Sequence, residues 1–220
     1  MNVIEFTDAR PALRVGKILC LGRNYAEHAK EMNAELPVEP VVFLKPATAI
    51  VPDGGTILLP AISNDVHHEV ELVVVIGRGG KRIDEAHALE HVAGYAIGLD
   101  MTLRDVQSAA KKKGLPWSVA KGFDTSAPLS RVVPASRVPD PQALTIACSV
   151  NGTMRQRAST GMMLLSVAKT ISYVSTIFTL EEGDLLFTGT PEGVARVVAG
   201  DVITAEIEGL VRTTHPVAAA

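Results

Sequence analysis

Two glutamates, Glu69 and Glu71, stand two positions apart in the run VHHEVELVVVIG at 66–77. The run begins with alternating apolar and polar residues and ends as a continuous apolar stretch, which predicts a strand that becomes fully buried. Side chains two apart on a strand point to the same face, so both carboxylates are aimed at one place. Because like charges repel and a buried carboxylate needs a positive partner, this spacing indicates a site for a divalent cation.

Asp100 offers a third carboxylate, directly after the predicted strand VAGYAIGL at 92–99. Three hard oxygen ligands favour Mg²⁺, Mn²⁺ or Ca²⁺ over zinc. The competing interpretation leaves Glu69 and Glu71 on the solvent face of a half-exposed strand, with Asp100 as a helix cap. Spacing alone leaves the two interpretations about evenly balanced.

His67 and His68, next to Glu69, raise the alternative of a zinc site. Adjacent residues on a strand point to opposite faces, so at most one histidine could join the glutamates, and His67 has the right parity. A structural role, in which either histidine orients the carboxylates, is the favoured interpretation.

His28 and Glu31 belong to a segment with helical spacing that starts at Asn24, includes Met32 and is followed by Pro37. Residues three apart share a helix face, so the carboxylate of Glu31 can orient the imidazole of His28. Such a pair is a general base able to take a proton from water near neutral pH. The alternative is an ordinary ion pair on an exposed helix.

Four further polar residues could contact a substrate. Lys121 lies among apolar and aromatic neighbours in WSVAKGF at 117–123, which predicts a partly buried, functional lysine. Thr190 lies in the turn TGTP, whose N–H groups and hydroxyl could bind a carboxylate or oxyanion, with a plain turn as the alternative. Arg23 could grip a carboxylate with two hydrogen bonds or pair at the surface, and Gln107 could equally be an exposed polar residue of a helix.

The apolar runs and turns predict a β-rich α+β fold. Of 220 residues, 47% are hydrophobic and 20% charged, and 18 glycines and 13 prolines are spread along the chain, which suits short strands joined by turns. Predicted strands occupy 17–22, 41–44, 56–59, 66–77, 92–99, 144–150, 184–188 and 202–207, and predicted helices begin at Asn24 and span 84–91, 102–113 and 163–178. An Asn151–Gly152 hairpin turn follows the strand at 144–150. Residues 1–16 are expected to form an arm or edge strand ahead of a single catalytic domain at 17–220.

Charge and composition narrow the partners. The net charge of −3 gives no reason to expect nucleic acid or an anionic membrane. The lysine run at 111–113 indicates the solvated end of a helix. Cys20 and Cys148 lie in apolar runs without metal-binding spacing and are predicted to be buried free thiols. With neither a signal-peptide pattern nor a membrane-length apolar stretch, the chain is predicted to be cytoplasmic.

Six segments resemble the signature blocks of the fumarylacetoacetate hydrolase family. They are GRNYAEHAKEM (22–32), FLKP (43–46), HHEVELVVVIG (67–77), GLDMTLRDVQ (98–107), SVAKGFDTSAPL (118–129) and GDLLFTGTPEGV (183–194). The first two are similar to those of its compact acylpyruvase and oxaloacetate decarboxylase branch. The resemblance runs from about 17 to 209, and the shared order and gaps make it specific, so it favours the metal interpretation.

The resemblance implies a mixed β-sandwich roll of the fumarylacetoacetate hydrolase C-terminal-domain type, usually in a homodimer, with a Mg²⁺ or Mn²⁺ site. By motif, Glu69, Glu71 and Asp100 would hold the metal, His28 and Glu31 would activate water on a segment that closes over the site, Lys121 would meet substrate oxygens, and Arg23, Gln107 and Thr190 would contact substrate. Ala47, Glu192 and Ala195 depart from the family pattern. They replace no proposed ligand but bear on substrate identity.

The activity that this resemblance favours is hydrolysis of a carbon–carbon bond in acylpyruvates, 2,4-dioxo acids such as fumarylpyruvate or acetylpyruvate, to pyruvate and a carboxylic acid. Activated water attacks C4, the C3–C4 bond breaks, and the cation and Lys121 stabilise the departing pyruvate enolate. The alternatives are decarboxylation or keto–enol tautomerisation of oxaloacetate, an isomerase or decarboxylase of aromatic meta-cleavage, and a non-catalytic β-rich scaffold.

Overall fold

The computed structural model describes residues 2–31 and 39–220. Met32 and Pro37, which the sequence assigned to the end of the first helix, lie outside the described residues. Within them the strands are β1 (Val3–Ile4), β2 (Leu13–Arg14), β3 (Ile18–Gly22), β4 (Val41–Lys45), β5 (Ile50–Val51), β6 (Ile57–Leu59), β7 (Val66–His68), β8 (Val70–Ile76), β9 (Val92–Leu99), β10 (Thr102–Leu103), β11 (Ala127–Pro128), β12 (Val133–Pro134), β13 (Thr145–Val150), β14 (Thr153–Ser159), β15 (Leu185–Phe187), β16 (Ala195–Val197), β17 (Val202–Ile207) and β18 (Val211–Ala219). The α-helices are α1 (Ala26–Glu31), α2 (Arg104–Lys112), α3 (Ser118–Lys121) and α4 (Val167–Ile177), and short 3₁₀ helices span Ala47–Ala49, Glu85–His91, Ala135–Arg137 and Thr160–Met162. The predicted β-rich α+β class is confirmed.

A six-stranded sheet carries the ligand-bearing strands, in the order β12-β9-β8-β15-β3-β4. Neighbours are antiparallel except for β15 and β3, which are parallel. Strand β8 is buried on both faces: Leu72 and Val74 face the larger hydrophobic cluster, while Val73 and Val75 face a smaller one. Glu71 shares the face of Val73 and Val75, which explains how a carboxylate enters a continuous apolar strand.

The larger cluster lies against a five-stranded sheet, ordered β14-β13-β17-β18-β6, and against α4. Ile146 and Cys148 of β13 and Ile171 of α4 belong to it. The β13–β14 hairpin turns at Asn151 and Gly152, whose φ values are 51° and 77°, as a type I′ turn requires. Cys148, like Cys20, is a buried free thiol, as predicted.

The strand predicted at 66–77 is interrupted at Glu69, which corrects that prediction. Strand β7 pairs with β10 and β16 in a three-stranded sheet, whereas β8 belongs to the six-stranded sheet. At the break, Val70 N–H donates to the side chain of Gln156 at 3.0 Å rather than to a neighbouring strand. Glu69 O accepts from Asp100 N–H at 2.8 Å. The chain thus changes sheets at a residue that the site uses.

Other boundaries differ for local reasons. Strands β9 and β17 match the predicted ranges 92–99 and 202–207. The helix expected from residue 102 begins at Arg104, because Thr102 and Leu103 pair with β7. Asp84 caps its helix by accepting from Ala86 N–H, but that helix is 3₁₀ rather than α. Strands β14, β16 and β18 were not predicted. The N-terminal residues form the β1–β2 pair, and Phe6 bridges to Val132.

Candidate metal centre

The three carboxylates converge as predicted. Glu69 lies at the junction of β7 and β8, Glu71 is the second residue of β8, and Asp100 directly follows β9. Each offers an oxygen within 4.8 Å of the others. Their exposed fractions are 4%, 1% and 1%, so the alternative of a solvent-facing pair is wrong. Pairing of β8 with β9 sets Glu71 opposite Gly98, where an added Cβ would approach Phe187 and Val73 to 2.7 Å.

Lys121 joins two of these carboxylates. Its Nζ lies 2.7 Å from Glu69 Oε2, 2.5 Å from Asp100 Oδ2 and 2.7 Å from Thr102 Oγ1. Burial disfavours the charged form of this lysine, but Asp100 and Glu69 outweigh it and raise the pKa of Lys121 above its ordinary value. The predicted burial of Lys121 is confirmed, and its ammonium fixes the position of two carboxylates.

Two further buried cations, to which the sequence assigned no role, also pair with these carboxylates. Lys45 Nζ lies 2.8 Å from Asp100 Oδ1, and the Arg104 guanidinium donates to Glu69 Oε1. Both cations are buried, at 2% and 7% exposure. A buried lysine or arginine needs an anionic partner. Lys45 could have been predicted as a buried cation because it ends the apolar strand VVFLK. For Arg104 the sequence offered no such indication beyond its place in a family block.

Glu71 is the carboxylate without a cation of its own among the described residues. Its Oε2 accepts from Gly189 N–H at 2.7 Å. Burial and the charges of Asp100 and Glu69 raise the pKa of Glu71 well above its usual range. Burial alone would also raise the pKa of Glu69, but Lys121 and Arg104 outweigh it and hold that pKa well below its usual range.

This imbalance shows that the residues fit a divalent cation. Asp100 Oδ1 forms an ion pair with Lys45 that lacks hydrogen-bond geometry, and it has no other polar partner among the described residues. Among the described residues Glu71 forms no ion pair, and the charges of its neighbours Asp100 and Glu69 outweigh the attraction of Lys121. Three converging hard oxygen donors, one of them without a cation of its own among the described residues, suit Mg²⁺, Mn²⁺ or Ca²⁺.

The neighbouring histidines have other partners. His67 Nε2 lies 2.9 Å from Asp65 Oδ1, and His68 Nδ1 lies 3.0 Å from Gln156 Oε1. Within the described chain the group of converging donor atoms contains neither histidine. Neither the zinc alternative nor direct orientation of the carboxylates by these side chains is therefore supported.

Gln156, which the sequence did not single out, ties the site together from β14. Its Oε1 lies 3.0 Å from Val70 N and 3.0 Å from His68 Nδ1. Its Nε2 donates to Thr190 Oγ1 and to Pro191 O, each at 2.8 Å. With 1% of its surface exposed, this amide connects the β7–β8 junction to the turn that carries Thr190.

His28 and Glu31 form the predicted pair on α1. His28 Nδ1 lies 3.2 Å from Glu31 Oε2, and both oxygens of Glu31 also accept from Gly193 N–H, at 3.0 and 3.2 Å. An ionised carboxylate only accepts hydrogen bonds, so Nδ1 carries the proton. The other ring nitrogen, Nε2, is left for the pocket that His28 lines.

The remaining predicted contacts also line the pocket. Arg23 has a left-handed backbone with φ of 61°, a conformation that is uncommon outside glycine and often marks functional sites. Gln107 is 3% exposed and accepts from Arg104 at 2.9 Å, so its alternative as an exposed residue is wrong. Lys111 is exposed, as predicted for the helix end, but it lines the pocket mouth and lies 5.0 Å from the ring centroid of Trp117.

The pocket therefore contains every predicted site residue except Glu31, which contacts it through His28. The residues lining it are Leu21, Gly22, Arg23, His28, Phe43, Glu69, Glu71, Asp100, Arg104, Gln107, Lys111, Trp117, Lys121 and Thr190. Four of these fourteen are lysines or arginines and three are carboxylates, so the pocket suits a divalent cation together with a small anion.

Fold and site together define a β-rich protein with a buried three-carboxylate centre for a divalent cation. The family model of the fumarylacetoacetate (FAA) hydrolase C-terminal region matches residues 17–218. The chain belongs to this family of enzymes, and the predicted resemblance and sandwich-roll fold are confirmed.

Similar proteins have related activities. Oxaloacetate tautomerase FAHD1, mitochondrial, of Rattus norvegicus is 54% identical over 194 residues, covering 88% of each chain. Oxaloacetate decarboxylase, mitochondrial, of Dictyostelium discoideum is 49% identical over 195 residues, covering 88% of this chain and 89% of that one. The crystal structure of fumarylpyruvate hydrolase from Pseudomonas aeruginosa in complex with Mn²⁺ and pyruvate matches with a TM-score of 0.94 and 42% identity, covering 99% of this chain and 96% of that one.

These relatives bear on two further expectations. Both curated relatives are named as mitochondrial, so a cytoplasmic location stays a prediction. Among the described residues, no helix has the length and apolar character needed to cross a bilayer.

Proposed function

We propose that this chain interconverts the keto and enol forms of oxaloacetate with a divalent cation bound by Glu69, Glu71 and Asp100. The observation that carries the proposal is that the carboxylate triad and His28, whose Nδ1 is anchored to Glu31, line one pocket. The sequence favoured acylpyruvate hydrolysis, but relatives about half identical to this chain are named oxaloacetate tautomerases and an oxaloacetate decarboxylase. Oxaloacetate chemistry therefore becomes the first candidate.

The reaction moves one proton between carbon C3 and the oxygen on C2. A bound divalent cation would supply Lewis acidity toward the 2-keto oxygen. His28 Nε2 takes the C3 proton, and the C–H electron pair becomes the C2–C3 double bond. The carbonyl oxygen takes a proton from water to give the enol, and the His28 imidazolium returns its proton to water. Glu31 stabilises the protonated imidazole through Nδ1–H. Ketonisation is the reverse sequence.

The charges of the chain favour a dianion such as oxaloacetate. Lys45, Lys121 and Arg104 face the three buried carboxylates, so these groups are close to neutral together. The pocket becomes net positive with any divalent cation present, and Lys111 adds positive charge at its mouth. Positive potential raises both the encounter rate and the occupancy of an anionic substrate.

The test is a substrate panel measured with Mg²⁺ or Mn²⁺. Loss of the enol absorbance of oxaloacetate reports tautomerisation, and pyruvate release reports decarboxylation of oxaloacetate and hydrolysis of acetylpyruvate or fumarylpyruvate. We expect the enol signal to decay fastest relative to its uncatalysed rate, and chelator treatment to abolish the enhancement. A chelated preparation with full activity would contradict the metal-dependent mechanism. No turnover of any substrate would favour the non-catalytic scaffold.

Acylpyruvate hydrolysis is the second candidate, because a carboxylate-oriented imidazole can also activate water. The similar fumarylpyruvate hydrolase with Mn²⁺ and pyruvate supports it. Decarboxylation needs neither an activated water nor removal of a proton from C3. His28→Ala should therefore suppress tautomerisation and hydrolysis by about 10²- to 10⁴-fold and decarboxylation much less. Equal losses in all three assays would contradict this division.

Aromatic meta-cleavage chemistry is tested by adding a hydroxymuconate-type substrate to the panel. Homodimer formation stays a prediction.

A further inference from the structure

Thr190 lines the pocket, and the hydrogen-bonding polarity of its hydroxyl is set by Gln156. Val70 N–H can only donate and Pro191 O can only accept, so the two ends of the Gln156 amide are assigned without ambiguity. Nε2 is therefore the group that reaches Thr190 Oγ1, at 2.8 Å, and the hydroxyl oxygen accepts that bond.

Because the oxygen of Thr190 is an acceptor inside the protein, its own proton is available elsewhere. Among the described residues, Thr190 Oγ1 has no other hydrogen-bond partner. The residue is 3% exposed and lines the pocket. Its neighbour Gly189 donates to Glu71 at 2.7 Å, so the turn that holds Glu71 through a backbone N–H also carries a hydroxyl proton without an acceptor among the described residues.

We propose that Gln156 is a positioning residue that holds the Thr190 hydroxyl as a hydrogen-bond donor to an anionic oxygen of the substrate. The inference rests on the proposed function for the identity of that substrate, a 2-oxo acid whose oxygen gains charge during reaction. Without the amide, the hydroxyl could rotate to Pro191 O, which would lose its donor. The pocket would then present a lone pair, which repels an oxyanion, where it now presents a proton.

A double-mutant cycle tests this role, with two substitutions at each position. Gln156→Glu reverses the polarity because its carboxylate accepts the Thr190 proton, and Gln156→Met removes the amide without adding a buried charge. We expect each to lower kcat/KM for oxaloacetate tautomerisation about tenfold, the effect of losing one hydrogen bond to a charged group. Mn²⁺ affinity should stay unchanged. In a Thr190→Val background the same substitutions should have no further effect, whereas in Thr190→Ser they should keep their full effect.

Gln142 provides a matched control. Its amide bridges Val167 N–H and Thr160 O, at 2.7 and 2.8 Å, in the way that Gln156 bridges two backbone groups, but it does not line the pocket. Gln142→Met should lower the unfolding midpoint about as much as Gln156→Met does, because each loses two backbone hydrogen bonds. It should leave kcat/KM unchanged. An equal loss of kcat/KM in Gln142→Met would overturn the proposal, as would additive effects of Gln156→Met and Thr190→Val.

A second readout separates this inference from the proposed function. Calorimetric titration with pyruvate in the presence of Mn²⁺ measures how much the proposed Thr190 hydrogen bond adds to affinity, without turnover. Gln156→Met should weaken pyruvate binding only when threonine or serine is present at position 190. If the wild type fails to tautomerise oxaloacetate but the cycle stays non-additive in pyruvate binding, the proposed function fails and the role of Gln156 stands. If tautomerisation is found and both cycles are additive, the role of Gln156 fails alone.

Discussion

The two sides of the pocket are built in different ways. The carboxylate side comes from β8 and the end of β9 inside a six-stranded sheet, and Lys121 cross-links Glu69 and Asp100. The helix side, which contributes His28, is α1, a helix of six residues. Asn24 anchors its start to Leu165 and Thr188, and Glu31 anchors its end to Gly193.

In the proposed mechanism, this difference separates cation binding from proton transfer. An isolated helix of about six residues is unstable, so α1 depends on its few tertiary contacts. Glu71 instead lies within β8 of the six-stranded sheet, and Glu69 and Asp100 directly flank its strands β8 and β9, where buried ion pairs with Lys121 join them. Changes on the sheet side should therefore abolish metal binding, and changes on α1 should alter turnover while metal affinity stays the same.

The largest effect is expected for Glu71→Gln, which breaks the sheet side. The neutral amide cannot supply the third anionic ligand, so Mn²⁺ binding and tautomerisation should fall by roughly a thousandfold, equivalent to several kcal/mol of charge stabilisation. Because burial and the charges of Asp100 and Glu69 raise the pKa of Glu71 well above its usual range, the metal-free protein already favours a neutral group there. The unfolding midpoint of metal-free Glu71→Gln should therefore not fall below that of the metal-free wild type.

Calorimetric Mn²⁺ titration and thermal unfolding with chelator measure both effects. Glu85→Gln, the same change at an exposed glutamate, serves as the control. Wild-type Mn²⁺ affinity in Glu71→Gln would show that the ion is not held by this triad.

A smaller effect is expected for Glu31→Gln, which weakens the helix side. Glutamine still accepts a hydrogen bond but no longer stabilises a protonated His28, so kcat should fall about 10- to 100-fold. Mn²⁺ affinity should be unchanged. Glu27→Gln, on the same helix and paired with exposed Lys30, should leave kcat intact. If Mn²⁺ affinity falls in parallel with kcat in Glu31→Gln, the two sides of the pocket are not independent.

A rim charge should matter less than either side. Lys111→Met removes the exposed ammonium beside Trp117 and should raise KM for oxaloacetate by up to about fivefold, because exposed charge pairs are weak and screened by salt. Lys112→Met is the matched control, since it removes the same charge from the next helical position. Steady-state kinetics at low and high salt measure KM for oxaloacetate in both variants. An unchanged KM at low salt, or equal effects of both substitutions, would remove Lys111 from the pocket's recognition surface.

Sequence patterns predicted the parts of the fold that are chemically uniform. Strand β9 was found because its residues form one apolar run, whereas β18 was missed because its buried positions include Thr213 and His215. Thr213 donates to Asp53 at 2.6 Å, a partner that only the tertiary structure provides. Apolar periodicity therefore finds strands whose buried face is apolar and misses those with buried polar networks.

The site divides in the same way. Glu69 and Glu71 were predictable as a pair because residues two apart in a strand-like run share a face, and the family blocks then favoured a metal site over a solvent-facing pair, although the strand itself breaks at Glu69. Gln156 was not, because it acts on Val70 across a separation of 86 residues. Arg104 was also missed, because a charged residue at the start of a helix is ordinary until its carboxylate partner is known.

The smallest effect on activity is expected at His215, which does not line the pocket. His215 Nδ1 lies 2.9 Å from Gly55 O, and burial is the main cause that lowers the pKa of this histidine below its ordinary value of 6.5. Between pH 6.5 and that lowered value the unfolded chain binds a proton that the folded chain does not, so stability falls as the pH drops and is fully present above 6.5. His215→Gln should flatten this acid-side slope by at most about 1.4 kcal/mol per pH unit, the value for one proton. Urea unfolding at several pH values below 7 measures the slope.

Because the pKa values of His67 and His68 are also lowered, chiefly by burial, part of the slope should persist. Tautomerisation at pH 7.5 should be unchanged, and an unaltered slope would mean that the histidines near the site account for all of the acid sensitivity.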